Sequence, residues 1–140
     1  MLPGGRAPSS TVPGPPYDSG VTAPPGWPRA VPDPESPEFA DRVVGWLLEL
    51  CPPEYRAHDV LRRHPVILAR LAAQHAEATL GAARAAYAGA RRDLAGRVPP
   101  EAVDETLVAL SREGARLAAQ VREVGLVEEA LQGRRWRPKM

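Results

Sequence analysis

The chain has 140 residues and a formal net charge of +1, enough for one modest domain and too evenly balanced for a globally basic nucleic-acid binder. Four of its positive charges, Arg134, Arg135, Arg137 and Lys139, follow Gly133 and leave −3 on everything before it. Cys51 is the lone cysteine, which excludes an internal disulfide, and the longest apolar run, around Val43 to Cys51, is broken by Glu49 and falls far short of the roughly 20 residues of a membrane span.

Residues 1–35 hold most of the prolines together with Gly, Ser and Thr. So few apolar side chains cannot offset the entropy of ordering the chain, so a disordered Pro/Gly-rich arm is expected there. The opening Met1-Leu2-Pro3-Gly4-Gly5-Arg6 has no apolar core of a secretion signal, and a cytoplasmic protein is the expectation. Two Pro-x-x-Pro spacings, Pro13 to Pro16 and Pro25 to Pro28, have the form of polyproline ligands, a form that any Pro-rich tract shares.

Ordered structure is expected over residues 36–133. Ser36-Pro37-Glu38 carries the signals of a helix start, and a helix over about 37–50 puts Phe39, Val43, Trp46, Leu47 and Leu50 on one face. Cys51-Pro52-Pro53 ends it, and a short helical piece follows over about 54–63. Pro65 then opens a helix to about residue 95 that contains twelve alanines, the best helix former. Gly96-Arg97-Val98-Pro99-Pro100 breaks it, and the last helix runs over about 100–132, with Gly133 as its stop.

The two long segments carry matching seams. In the first, Val66, Ala69, Ala73, Ala76, Leu80, Ala83, Tyr87, Ala90 and Leu94 recur at spacings of three and four; in the second, Val103, Leu107, Leu110, Gly114, Leu117, Val121, Val124, Glu128 and Leu131 do the same. With 3.6 residues per turn this draws one stripe along each helix, the geometry of helices zipped together. Folding back at Gly96 to Pro99 sets Ala90 against Val103, Ala83 against Leu110, Ala76 against Leu117, Ala69 against Val124 and Leu80 against Gly114, large facing small in nearly every layer.

The predicted fold is therefore all-α: a long antiparallel, coiled-coil-like, Ala-rich hairpin with a shorter amphipathic helix packed on it. Leu68, Leu71, Val108, Ala118 and Val127 lie off the seam, available to the short helix or to a second copy. Gly81, Gly89, Gly114 and Gly125 stand isolated inside helices, where close helix approach is the expected reason for them.

Motifs for chemistry are sparse. His58, His64 and His75, with Cys51, Glu54 and Asp59, lack any specific metal-ligand spacing, and chance accounts for them better than a site does. Cys51 precedes a Pro-Pro break at the end of an apolar helix and reads as a small hydrophobe. No nucleophile, base and acid group together, and no glycine loop for phosphate is present, so no catalytic residue, metal or cofactor is assigned. Glu128 breaks the apolar seam, and Arg62 or Arg63 is the expected partner that compensates it. In the basic tail, residues 134–140, the guanidinium groups of Arg134, Arg135 and Arg137, the Lys139 ammonium and the Trp136 indole form a combination suited to phosphate or an anionic lipid surface. Arg91, Arg92 and Arg97 make a second basic group, diluted by Asp93.

The run Trp46-Leu47-Leu48-Glu49-Leu50-Cys51-Pro52-Pro53-Glu54-Tyr55-Arg56, followed by Val60-Leu61-Arg62-Arg63-His64-Pro65, resembles small helical proteins of high-GC actinobacteria that carry no assigned function. The resemblance spans about residues 40 to 137 and brings no activity and no site residue. Three expectations result, in order of preference. The first is a non-enzymatic protein–protein interaction module that binds a partner chain or a second copy of itself. The second is a nucleic-acid or anionic-membrane binder acting through the tail, and the third a small enzyme or metal-binding bundle around His58, His64 and Cys51.

Overall fold

Residues 23–134 are described by a computed structural model, and every regular element among them is helical: α1 (Phe39–Glu49), a 3-10 turn (Pro53–Ala57), α2 (Asp59–Arg63), α3 (Pro65–Leu94) and α4 (Pro100–Leu131). Proline takes the first position of the 3-10 turn, of α3 and of α4, where the missing N–H would be unsatisfied anyway and the ring presets a helical φ. At the far end of α4, Gly133 adopts φ +91°. Its N–H bonds the Ala130 carbonyl at 3.0 Å and the Arg134 N–H bonds that of Glu129 at 3.0 Å, the paired closure that left-handed glycine permits.

The helices α3 and α4 lie antiparallel against one another, as the size alternation predicts, and α1 packs on them. Near the tip, Ala90, Val103 and Leu107 form a small buried cluster backed by Leu94. Near the open end, Ala69, Ala72, Ala73, Val124, Val127 and Ala130 join Val43, Leu47 and Leu48 of α1 in the main core. Leu80 and Leu117 are buried between the two clusters. Cross-helix ion pairs mark the register at both ends, Arg91 to Asp104 at 3.5 Å and Arg70 to Glu128 at 3.3 Å.

Two seam positions depart from expectation: Val66 is 44% and Tyr87 48% exposed. At 100° per residue, Leu68 and Ala72 fall to one flank of the α3 seam, and α1 lies over that flank. Val66 falls to the other, where no helix covers it. The off-seam residues divide the same way. Leu68 and Val127 are fully buried and Leu71 is packed against the core, whereas Val108 stays 53% exposed on the groove face, away from α1.

The expected disordered arm is corrected over residues 23–35. Pro24-Pro25-Gly26-Trp27 forms a turn closed by the Trp27 N–H on the Pro24 carbonyl at 3.1 Å, with Gly26 at φ +89°. The Trp27 Nε1–H donates to the Val31 carbonyl at 2.9 Å, and the indole lies 6.1 Å from the Phe39 ring. Val31 and Pro32 are buried, and Val31 joins the main core. The Asp33 carboxylate accepts the Glu35 N–H at 2.7 Å and the Ser36 hydroxyl accepts the Glu38 N–H at 3.1 Å, leading the chain into α1 two residues later than its sequence signals suggest. Composition misleads here because two large apolar groups, Trp27 and Val31, suffice to fasten a proline-stiffened segment that loses little entropy on ordering. The Pro25 to Pro28 spacing belongs to this packed segment; Pro13 to Pro16 lies outside the described residues.

The interior glycines are corrected as well. A Cβ built on Gly81, Gly114 or Gly125 would meet nothing within 4 Å, and on Gly89 only the mobile ends of Arg92 and Asp93. Close helix approach within the chain is therefore not what these glycines serve.

Candidate functional site

Because α1 covers only the open half of one flank, the tip half of the hairpin stands as a bare two-helix ribbon. A shallow apolar groove of about 220 Å³ runs along it, lined by Ala83, Arg84 and Tyr87 from α3 and Leu110, Ser111 and Gly114 from α4. It continues towards the tip past Leu107 and Val108 to the Arg91 and Asp104 pair, with Arg112 at its edge. The missing side chain at Gly114 deepens the floor, and the half-exposed Tyr87 ring stands at the rim. Arg84 and Arg91 fall on the flank of α3 opposite Leu68 and Ala72, so the groove faces away from α1. Only cationic and neutral residues line the α3 side, while α4 supplies the acid Asp104.

The seam carboxylate is paired, but by a residue other than those expected. Glu128 is 8% exposed and its partner is Arg70, reached from α3 at 3.3 Å. Arg63 instead pairs with Asp59 at 2.7 Å within α2, and Arg62 is exposed. With Ala69 opposite Val124, Glu128 lies opposite Pro65, and Arg70 spans the offset with its long side chain. The contact does not complete a hydrogen bond to the buried Oε2, so the carboxylate retains an unmet acceptor. Arg70→Ala is expected to cost about 1 kcal/mol, the half-exposed guanidinium being partly replaced by water, and Glu128→Leu to be neutral or stabilising. Thermal unfolding of the two variants side by side checks both signs.

The other candidate residues are not brought together. His58, His64 and His75 are all exposed, and among the described residues no three His, Cys, Asp or Glu side chains converge as metal ligands. Cys51 is buried, and burial pushes its thiol pKa up, away from the thiolate that a nucleophile needs. Elsewhere on α4, the Arg116 guanidinium, hydrogen-bonded to Glu113, holds that carboxyl below its ordinary range, and burial raises that of Glu123. Glu123 lines a depression with Arg122, Leu126, Pro25 and Gly26, where the N-terminal segment crosses α4. Arg134 is exposed, while Arg135, Trp136, Arg137 and Lys139 lie outside the described residues. Arg91 pairs with Asp104 and Arg92 with Asp93, so the second basic group is largely neutralised.

Among the described residues no helix is long and apolar enough to cross a membrane. The chain matches none of the protein-family models, curated proteins or solved structures with which it was compared.

Proposed function

We propose that the protein is a non-enzymatic helical interaction module whose binding face is the groove side of the hairpin tip. One observation carries this reading: beside the small buried tip cluster of Ala90, Val103 and Leu107, the Tyr87 ring and the off-seam Val108 stay about half exposed along an open groove. A monomer gains nothing from a half-exposed Tyr and Val placed side by side over a glycine-floored groove, whereas a partner that buries them recovers their transfer free energy.

A photo-crosslinking amino acid at position 87 tests it. The full chain, expressed in its own cells, should give protein adducts from position 87 and few from position 78, an exposed site on the α3 surface turned away from α4. Equal yields from the two positions would overturn the reading.

A further inference from the structure

We infer that the partner of this face is a second copy of the chain, packed with the two hairpins pointing the same way about a two-fold axis parallel to the helices. The inference rests on the reading above and adds the identity and orientation of the occupant. Four levels along the face carry the argument. The Arg91–Asp104 contact puts those two residues at one height, and successive steps away from the tip bring Tyr87 level with Val108, Arg84 with Ser111 and Gly81 with Gly114.

A two-fold axis along the hairpin lays α3 of one copy over α4 of the other without changing these heights. The Arg91–Asp104 pair of one copy then meets that of the second copy with opposite charges facing, Tyr87 meets Val108 of the second copy, and Arg84 meets the Ser111 hydroxyl with Arg112 at the groove edge, each contact made twice. Unlike charges face each other, and the aromatic ring lands on the exposed valine. A two-fold axis across the helices at Tyr87 does the opposite, setting Arg84 against Arg91 of the second copy, like on like.

The glycines point the same way. Gly114 lines the groove and Gly81 lies level with it on α3, both have open space where a Cβ would sit, and each weakens its own helix relative to alanine. Within one chain they bring nothing into contact; between two copies they let the ribbons approach closely enough to bury Tyr87. From Arg91 to Gly81 the face is about 15 Å long and two helix diameters wide, so each copy contributes about 300 Å², the small area of a weak, reversible contact. The helix α1 lies on the other flank and does not obstruct it.

Sedimentation of the full chain should show a monomer–dimer equilibrium between roughly 10 and 100 µM. Tyr87→Glu should weaken it more than about tenfold, Arg91→Glu about tenfold, and Arg91→Glu with Asp104→Arg should return it to within about threefold of the original. With Cys51→Ser and a spin label on Arg62→Cys at the open end, the distance between copies should be below about 4 nm; the crossed arrangement would put it near 7 nm. A monomer at every concentration up to about 500 µM overturns the inference, as does a dimer indifferent to Tyr87→Glu or one with labels near 7 nm. If the chain is monomeric while position 87 still crosslinks to another protein, this inference fails and the interaction module stands; if position 87 gives no adduct above position 78, both fail.

Discussion

Replacing Leu68 with alanine is expected to lower the unfolding free energy by about 3 kcal/mol and the melting temperature by about 12 °C, the largest loss of any single truncation in the hairpin. Leu68 has no solvent exposure and sits where α1 crosses the seam flank, in one cluster with Val43, Leu47, Ala72 and Val127. The buried residues next to it on α3, Ala69, Ala72 and Ala73, are alanines, too short to swing inward and fill the space a lost isobutyl group leaves, so most of the cavity cost is felt. A comparison with Tyr87→Ala sharpens the test. The tyrosine ring is far larger, yet it is half exposed at the groove rim and should cost under about 1 kcal/mol in the monomer. Chemical denaturation of both at low protein concentration gives the two values directly. Equal losses would mean that the tip half of the hairpin is as tightly cored as the open half.

Removing the Trp27 side chain should cost about 2 to 3 kcal/mol, although the residue lies in a stretch whose composition reads as disordered. The indole donates its only hydrogen bond to the Val31 carbonyl at 2.9 Å and covers Phe39. Trp27→Ala loses that burial and leaves the carbonyl of a fully buried residue without its partner. Trp27→Phe keeps most of the apolar surface and loses only the N–H, so it should recover about half of the loss. Tryptophan fluorescence of Trp46, half-buried in the same core, reports the unfolding in both variants. If Trp27→Ala leaves stability unchanged, residues 23–35 contribute nothing to the core and the disordered reading of that segment is restored.

The hairpin was legible because its signal is repeated. Nine seam positions on each of two helices at three-four spacing define both axes, and the requirement that Leu and Val face Ala and Gly then leaves one register, the one that the Arg91–Asp104 and Arg70–Glu128 pairs mark. A single misplaced residue such as Val66 cannot disturb a pattern of that length. The N-terminal segment has no such redundancy. Its fastening depends on one turn and one indole, and Pro25-Gly26, the residue pair that favors a turn with positive φ at its second central position, was the local sign of it. Glu128 was legible as a carboxylate needing a cation, with Arg62 or Arg63 expected at the open end of the hairpin; Arg63 is instead held by Asp59 within α2, and Arg70 reaches the carboxylate from α3.

The two long helices, their ends and their antiparallel pairing are legible from the chain alone, because periodicity, proline and glycine punctuation and side-chain size are local quantities that add up along thirty residues. Which parts of the seam are sealed was decided only by the tertiary structure. Coverage depends on where an 11-residue helix and a proline-rich segment come to rest, and both settle at the open end of the hairpin, beside Leu68, Val127 and Leu126. The groove at Tyr87 and Gly114 is what they leave uncovered, a consequence of distance between elements that no periodic pattern records.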